Sequence, residues 1–132
     1  MAEMSNYLEN ALINATLRNT SYTSPTTVYV ALFTSDPTDA GTGTEVSTSG
    51  TSYARQSATF GAPSSGASVT TADITFPTAT ASFGTVGWIG IYDAATVGTG
   101  NLLYHTALDT SKTIDTGDIF KISTGNLSVT LS

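Results

Sequence analysis

His105 is the only histidine in this sequence, and ten carboxylates are the other obvious acid–base or metal-binding groups. Cysteine is absent, so a thiolate nucleophile, a disulfide and a Cys-ligated metal are all excluded. A Ser–His–Asp arrangement needs its histidine held between a hydroxyl and a carboxylate. Thr106 and Asp109 are close to His105 in sequence, but adjacent residues on a strand point to opposite faces. His105 is therefore expected as a polar residue on a strand near a rim. Asp36, Asp39 and Glu45 share one loop, while Asp115 and Asp118 flank a turn. Two carboxylates about 5–10 Å apart in a cleft would support glycoside hydrolysis, and about six to eight oxygens would hold calcium. Aspartates in such places ordinarily cap turns instead, and Asp36-Pro37-Thr38-Asp39 lacks the spacing of a calcium loop. Gly41-Thr42-Gly43 and Gly98-Thr99-Gly100 are not followed by Lys-Ser or Lys-Thr in phosphate-loop spacing, so they read as turn glycines. No catalytic residue, cofactor site or metal site is expected, and the chain is not read as an enzyme.

Arg55 is one of only four cations, with Arg18, Lys112 and Lys121. Its planar fork matches a carboxylate bidentately. It could bridge the 35–52 loop to a sheet or pair across an interface; the plainer alternative is a surface strand arginine worth at most about 1 kcal/mol. Trp88 and Tyr92 lie on an apolar strand and are expected to pack in a core rather than bind.

The elements that would carry these residues are one helix and several strands. Met4, Tyr7, Leu8, Ala11, Leu12 and Ala15 recur at helical spacing, with Ser5 as N-cap, which predicts a helix over 4–18. Val28, Val30 and Leu32 alternate with Tyr29, Ala31 and Phe33, so the strand at Thr27–Thr34 is apolar on both faces and should be central. Residues 35–52 form a long polar loop, a candidate contact loop because structureless loops of that length are uncommon without a role. Further strands are expected at Tyr53–Phe60, Ser68–Phe76, Thr85–Tyr92, Asn101–Thr106, Asp118–Ser123 and Leu127–Leu131, separated by Gly, Pro and Asn turns. Thr85–Tyr92 carries the heaviest apolar load and should also be central. The pattern predicts a mainly β chain, a single jelly-roll-like β-sandwich over 23–132 with one N-terminal α-helix and its linker over 1–22.

The bulk numbers agree. With 132 residues the chain suits one core, and 39% hydrophobic content can drive its burial. Charged residues are only 11%, against about 25% in ordinary soluble domains. Hydroxyls fill the gap, with 26 Thr and 16 Ser, and Thr suits a pleated surface while Ser suits turns. The net charge of −6 and four scattered cations argue against nucleic acid or an anionic membrane as partner. No apolar run reaches the roughly 20 residues of a spanning helix, and the first ten residues lack the positive start of a secretory signal.

Four blocks carry a family resemblance. They are Val30-Ala31-Leu32-Phe33-Thr34-Ser35-Asp36-Pro37-Thr38-Asp39-Ala40-Gly41 with Glu45-Val46; Tyr53-Ala54-Arg55-Gln56 leading to Phe60-Gly61-Ala62-Pro63; Ile74-Thr75-Phe76-Pro77 with Ala79-Thr80-Ala81 and Gly84-Thr85-Val86; and Ile89-Gly90-Ile91-Tyr92-Asp93-Ala94 continuing to Gly100-Asn101-Leu102-Leu103-Tyr104. Together with Leu127-Ser128-Val129-Thr130-Leu131, they resemble small tailed-phage virion proteins, some acting as capsid cement or decoration proteins and others labelled tail-fibre-like. The resemblance implies a structural protein of the phage particle, assembled in the host cytoplasm, with no catalytic residues. The first expectation is a capsid decoration protein whose partner is the major capsid protein. The alternative is a tail-fibre, tail-tip or connector component bound to other tail proteins, and a weaker one is a carbohydrate-binding or lytic module. Self-association is expected, with a trimer favoured. The candidate interface residues are Tyr7, Leu8 and Leu12 on the helix, Asp36, Pro37, Asp39 and Glu45 in the loop, and Arg55.

Overall fold

The computed structural model describes residues 2–131. A five-stranded antiparallel sheet forms its frame: β1 (Glu3–Met4), β7 (Leu102–Ile114), β6 (Gly84–Tyr92), β2 (Val28–Phe33) and β3 (Gln56–Ala58), in that spatial order. The two strands with the densest apolar runs, β2 and β6, sit inside the sheet, as their composition predicts. Two short ladders complete the fold, β4 (Ala67–Val69) with β9 (Ser128–Thr130) and β5 (Ile74–Thr75) with β8 (Lys121–Ile122). The fold is mainly β, a sandwich with one helix.

Strand alternation divides the apolar residues between two faces. Val30, Leu32, Val86, Ile89 and Ile91 face the main core, where they meet Ile74, Phe76, Ile122 and Leu127 from the second layer. Tyr53 stacks on Phe76 and meets Phe83 edge-on, so aromatic contacts seal this core. Ala31, Phe33, Tyr92 and Leu102 form a smaller cluster with Trp88 on the other face. Trp88 and Tyr92 are thus packing residues. Gly90 makes room there, because a Cβ at that position would lie 2.9 Å from Leu102 and 3.0 Å from Phe33.

This second face is covered by the helix α1 (Asn6–Leu17) and two loops. Ser5 caps the helix: its buried hydroxyl accepts from the Leu8 N–H and donates to the Leu102 carbonyl, while its own N–H donates to Leu103. Only Leu8 of the helix is buried, and Ile13 and Leu17 are 52% and 78% exposed. The helix is therefore fastened by its first turn and leaves its far end in solvent.

Four expected strands differ markedly in extent, and of these Asp118–Ser123 keeps only Lys121–Ile122. Ser68–Phe76 is two strands in different ladders, because the chain turns at Asp73, whose carboxylate accepts from the Thr124 N–H and hydroxyl. Asn101–Thr106 runs on to Ile114, since after a register shift opposite Gly87 the strand pairs with β6 again through Lys112, Thr113 and Ile114, its polar side chains in solvent. Tyr53–Phe60 shortens to Gln56–Ala58, because Tyr53 and Arg55 turn inward to bind Glu45.

Candidate functional site

The long loop after β2 folds back onto that strand midway along its length. Glu45 pairs with Phe33 as an isolated bridge, and the Val46 N–H donates to Leu32. Asp36 closes a local turn by accepting from the Thr38 N–H at 2.9 Å. Pro37 is fully buried beneath that turn. Gly43 passes so close above it that an added Cβ would lie 2.6 Å from Pro37 Cα.

Glu45 and Arg55 lock this loop. Arg55 Nε and Nη2 donate to the two Glu45 oxygens at 2.9 and 2.8 Å, a bidentate pair with side chains 1% and 11% exposed. Arg55 Nη1 donates to the carbonyls of Ala94 and Thr99, both at 2.9 Å, which ties down the 93–100 loop as well. The guanidinium lies 3.9 Å over the Tyr92 ring. The Tyr53 hydroxyl donates to Glu45 Oε2 at 2.6 Å and accepts from the Leu32 N–H at 2.9 Å. Burial, reinforced by the Glu45 charge and hydrogen bond, holds the Tyr53 phenol well above the usual tyrosine range. Burial works against the Arg55 charge, yet Glu45 more than offsets it and the pKa rises. Every member of this buried network has a partner, which holds the two loops rigidly. Of the sequence readings for Arg55, the structure shows the bridge from loop to sheet, and its burial rules out the plain surface arginine.

The locked loops enclose a recess of about 630 Å³ on the sheet's second face. Arg55, Glu45, Phe33 and Tyr92 line it, with Asn6, exposed Tyr7, Asp39 and the glycines 41, 43, 98 and 100. Four of the eight residues expected at an interface, Tyr7, Asp39, Glu45 and Arg55, therefore converge on one recess. Leu8 is buried under the helix, Leu12 is half-buried, Asp36 is exposed and Pro37 is packed inside the loop.

Beside the recess, Asp39 turns toward His105. Its carbonyl accepts from the Asn6 N–H, which satisfies one free donor of the first helical turn. Its Oδ1 lies 2.7 Å from His105 Nε2. Glu3, the register partner of His105 on β1, brings Oε2 to 4.0 Å from the same nitrogen. The His105 side chain is 7% exposed. The sequence places His105 on a strand, which holds, but does not foresee its burial and gives no sign of Glu3, because a two-residue edge strand carries no periodicity.

Among the described residues no helix is long and apolar enough to cross a membrane. The family of the podophage GP4 fiber I protein gp80 matches residues 3–130. No curated protein matches the chain.

Proposed function

The chain belongs to the podophage GP4 fiber I protein gp80 family, a family of phage structural proteins, and from that membership we propose that it is a component of the phage tail-fibre apparatus. The single observation that carries this reading is the family match, which spans all of the fold and not one motif. It favours the fibre alternative over capsid decoration, the first expectation from the sequence.

The described residues form a sandwich with one helix and not a shaft, and in this reading that unit acts as an adaptor or terminal piece. It works through surfaces and not through a reaction: the Arg55–Glu45 lock is fully satisfied and holds two loops in fixed positions around the recess. The rim offered to neighbours comprises Tyr7 and the 38–43 and 97–101 segments. Self-association around a symmetry axis is part of this reading, with a trimer favoured, and other tail proteins are the partners.

Quantitative mass spectrometry of purified particles tests it. A tail-fibre part is expected in a handful to tens of copies per particle, lost when tails are stripped. Hundreds of copies retained on tail-free heads would overturn the fibre reading and restore the decoration role.

A further inference from the structure

We propose that Glu3, Asp39 and His105 form a binding site for a divalent transition-metal ion of the zinc type. One ligand atom from each residue lies within 4.8 Å of the other two. The three come from the edge strand β1, the 35–45 loop and β7, so the grouping is tertiary and cannot be a by-product of one acidic stretch. His105 is buried to 7% exposure, and its Nε2 is aimed between the carboxylates.

The spacing suits a small ion. Tetrahedral ligands about 2.0–2.1 Å from zinc lie about 3.3 Å from one another. Here the nitrogen-to-oxygen distances are 2.7 Å to Asp39 and 4.0 Å to Glu3, one short of that value and one long by similar amounts. Both carboxylates are exposed, at 47% and 72%, so each can shift by the roughly 0.6 Å required. The imidazole nitrogen favours zinc-like ions over calcium or magnesium, which take oxygen ligands. Water would complete the shell from the shallow hollow that Glu3, His105, Asp36 and Asp109 share.

Charge points the same way. Among the described residues the lysine and arginine ion pairs are Arg55 with Glu45 and Lys121 with Asp73, so none reaches the carboxylates around His105. A divalent cation would neutralise Glu3 and Asp39 and tie β1 and the 35–45 loop to β7. The sequence gives no hint of this site, because its ligands are 36 and 66 residues apart and match no metal motif.

The test is isothermal titration of chelator-treated full-length protein with zinc chloride, paired with thermal unfolding. One saturable zinc per chain is expected, with a raised melting temperature and no displacement by equimolar calcium. Glu3→Gln and Asp39→Asn should each weaken binding about 10- to 100-fold, by analogy with the loss of groups that hold a metal site. Glu3 is exposed, so its variant retains the fold and keeps the result readable even if His105→Ala unfolds. No saturable binding to folded wild type, binding unchanged in both carboxylate variants, or displacement by calcium would each overturn the proposal.

Discussion

Arg55 makes four hydrogen bonds that reach two loops, and its side chain is almost wholly removed from water. Removing one partner of such a pair leaves the other charge buried and unmatched, at a cost of about 3–5 kcal/mol. Arg55→Ala is therefore expected to lose about that much stability in denaturant unfolding. The double variant Arg55→Met, Glu45→Gln should recover part of it, because two neutral groups of similar size no longer strand a charge. A loss below about 1 kcal/mol for the single variant would mean that the pair behaves as a surface contact. Chemistry alone makes Arg55 conspicuous in the sequence, as a rare cation amid acidic residues. Its partner is not legible there. Asp36, Asp39 and Glu45 look equivalent in the primary sequence, and only folding assigns Glu45 to Arg55, Asp39 to His105 and Asp36 to its own turn.

The helix and the two central strands are readable because burial writes itself into them as periodicity. The predicted helix 4–18 and the observed Asn6–Leu17 differ only at their ends, and the predicted strand 27–34 is β2 with one residue trimmed at each end. Elements without an amphipathic pattern escape that logic. The outer half of β7 is solvated along its length, so its Asp109–Thr113 stretch resembles a loop, although beyond a register shift Lys112 and Thr113 pair with Val86 and Thr85 of β6. The 35–52 loop is long because it crosses over itself, and Gly43 is the crossing point. An added Cβ there would meet Pro37 Cα at 2.6 Å and the Asp36 carbonyl oxygen at 2.7 Å, both backbone atoms that cannot swing away. Gly43→Ala should therefore cost about 1–3 kcal/mol, as overpacking does. Hydrogen exchange should rise at Thr42 and Thr44, whose N–H groups donate to the Pro37 carbonyl and the Ser35 hydroxyl inside this loop. Unchanged stability and protection would show that the loop can open without consequence.

At the scale of the whole molecule, the core is shared between the five-stranded sheet and the layer packed on it, while the far end of α1 contributes no buried residue. Leu17 at 78% exposure and Ile13 at 52% are costly to leave in water on an isolated protein, because each leaves apolar area unburied. In an assembly, the same two side chains offer area to a neighbouring copy without disturbing the sandwich. Fold stability and self-association should then separate under mutation. Leu17→Glu is expected to leave the near-ultraviolet spectrum unchanged and the intrinsic stability within about 0.5 kcal/mol, as for surface substitutions in general. If the proposed trimer forms through this tip, the same variant should shift the sedimentation coefficient from trimer toward monomer at tens of micromolar protein. Wild type sedimenting as a monomer under those conditions would remove the helix tip from the assembly surface. A variant that stays trimeric would move the contact to the other exposed rim, where Tyr7 and the 38–43 segment face the recess.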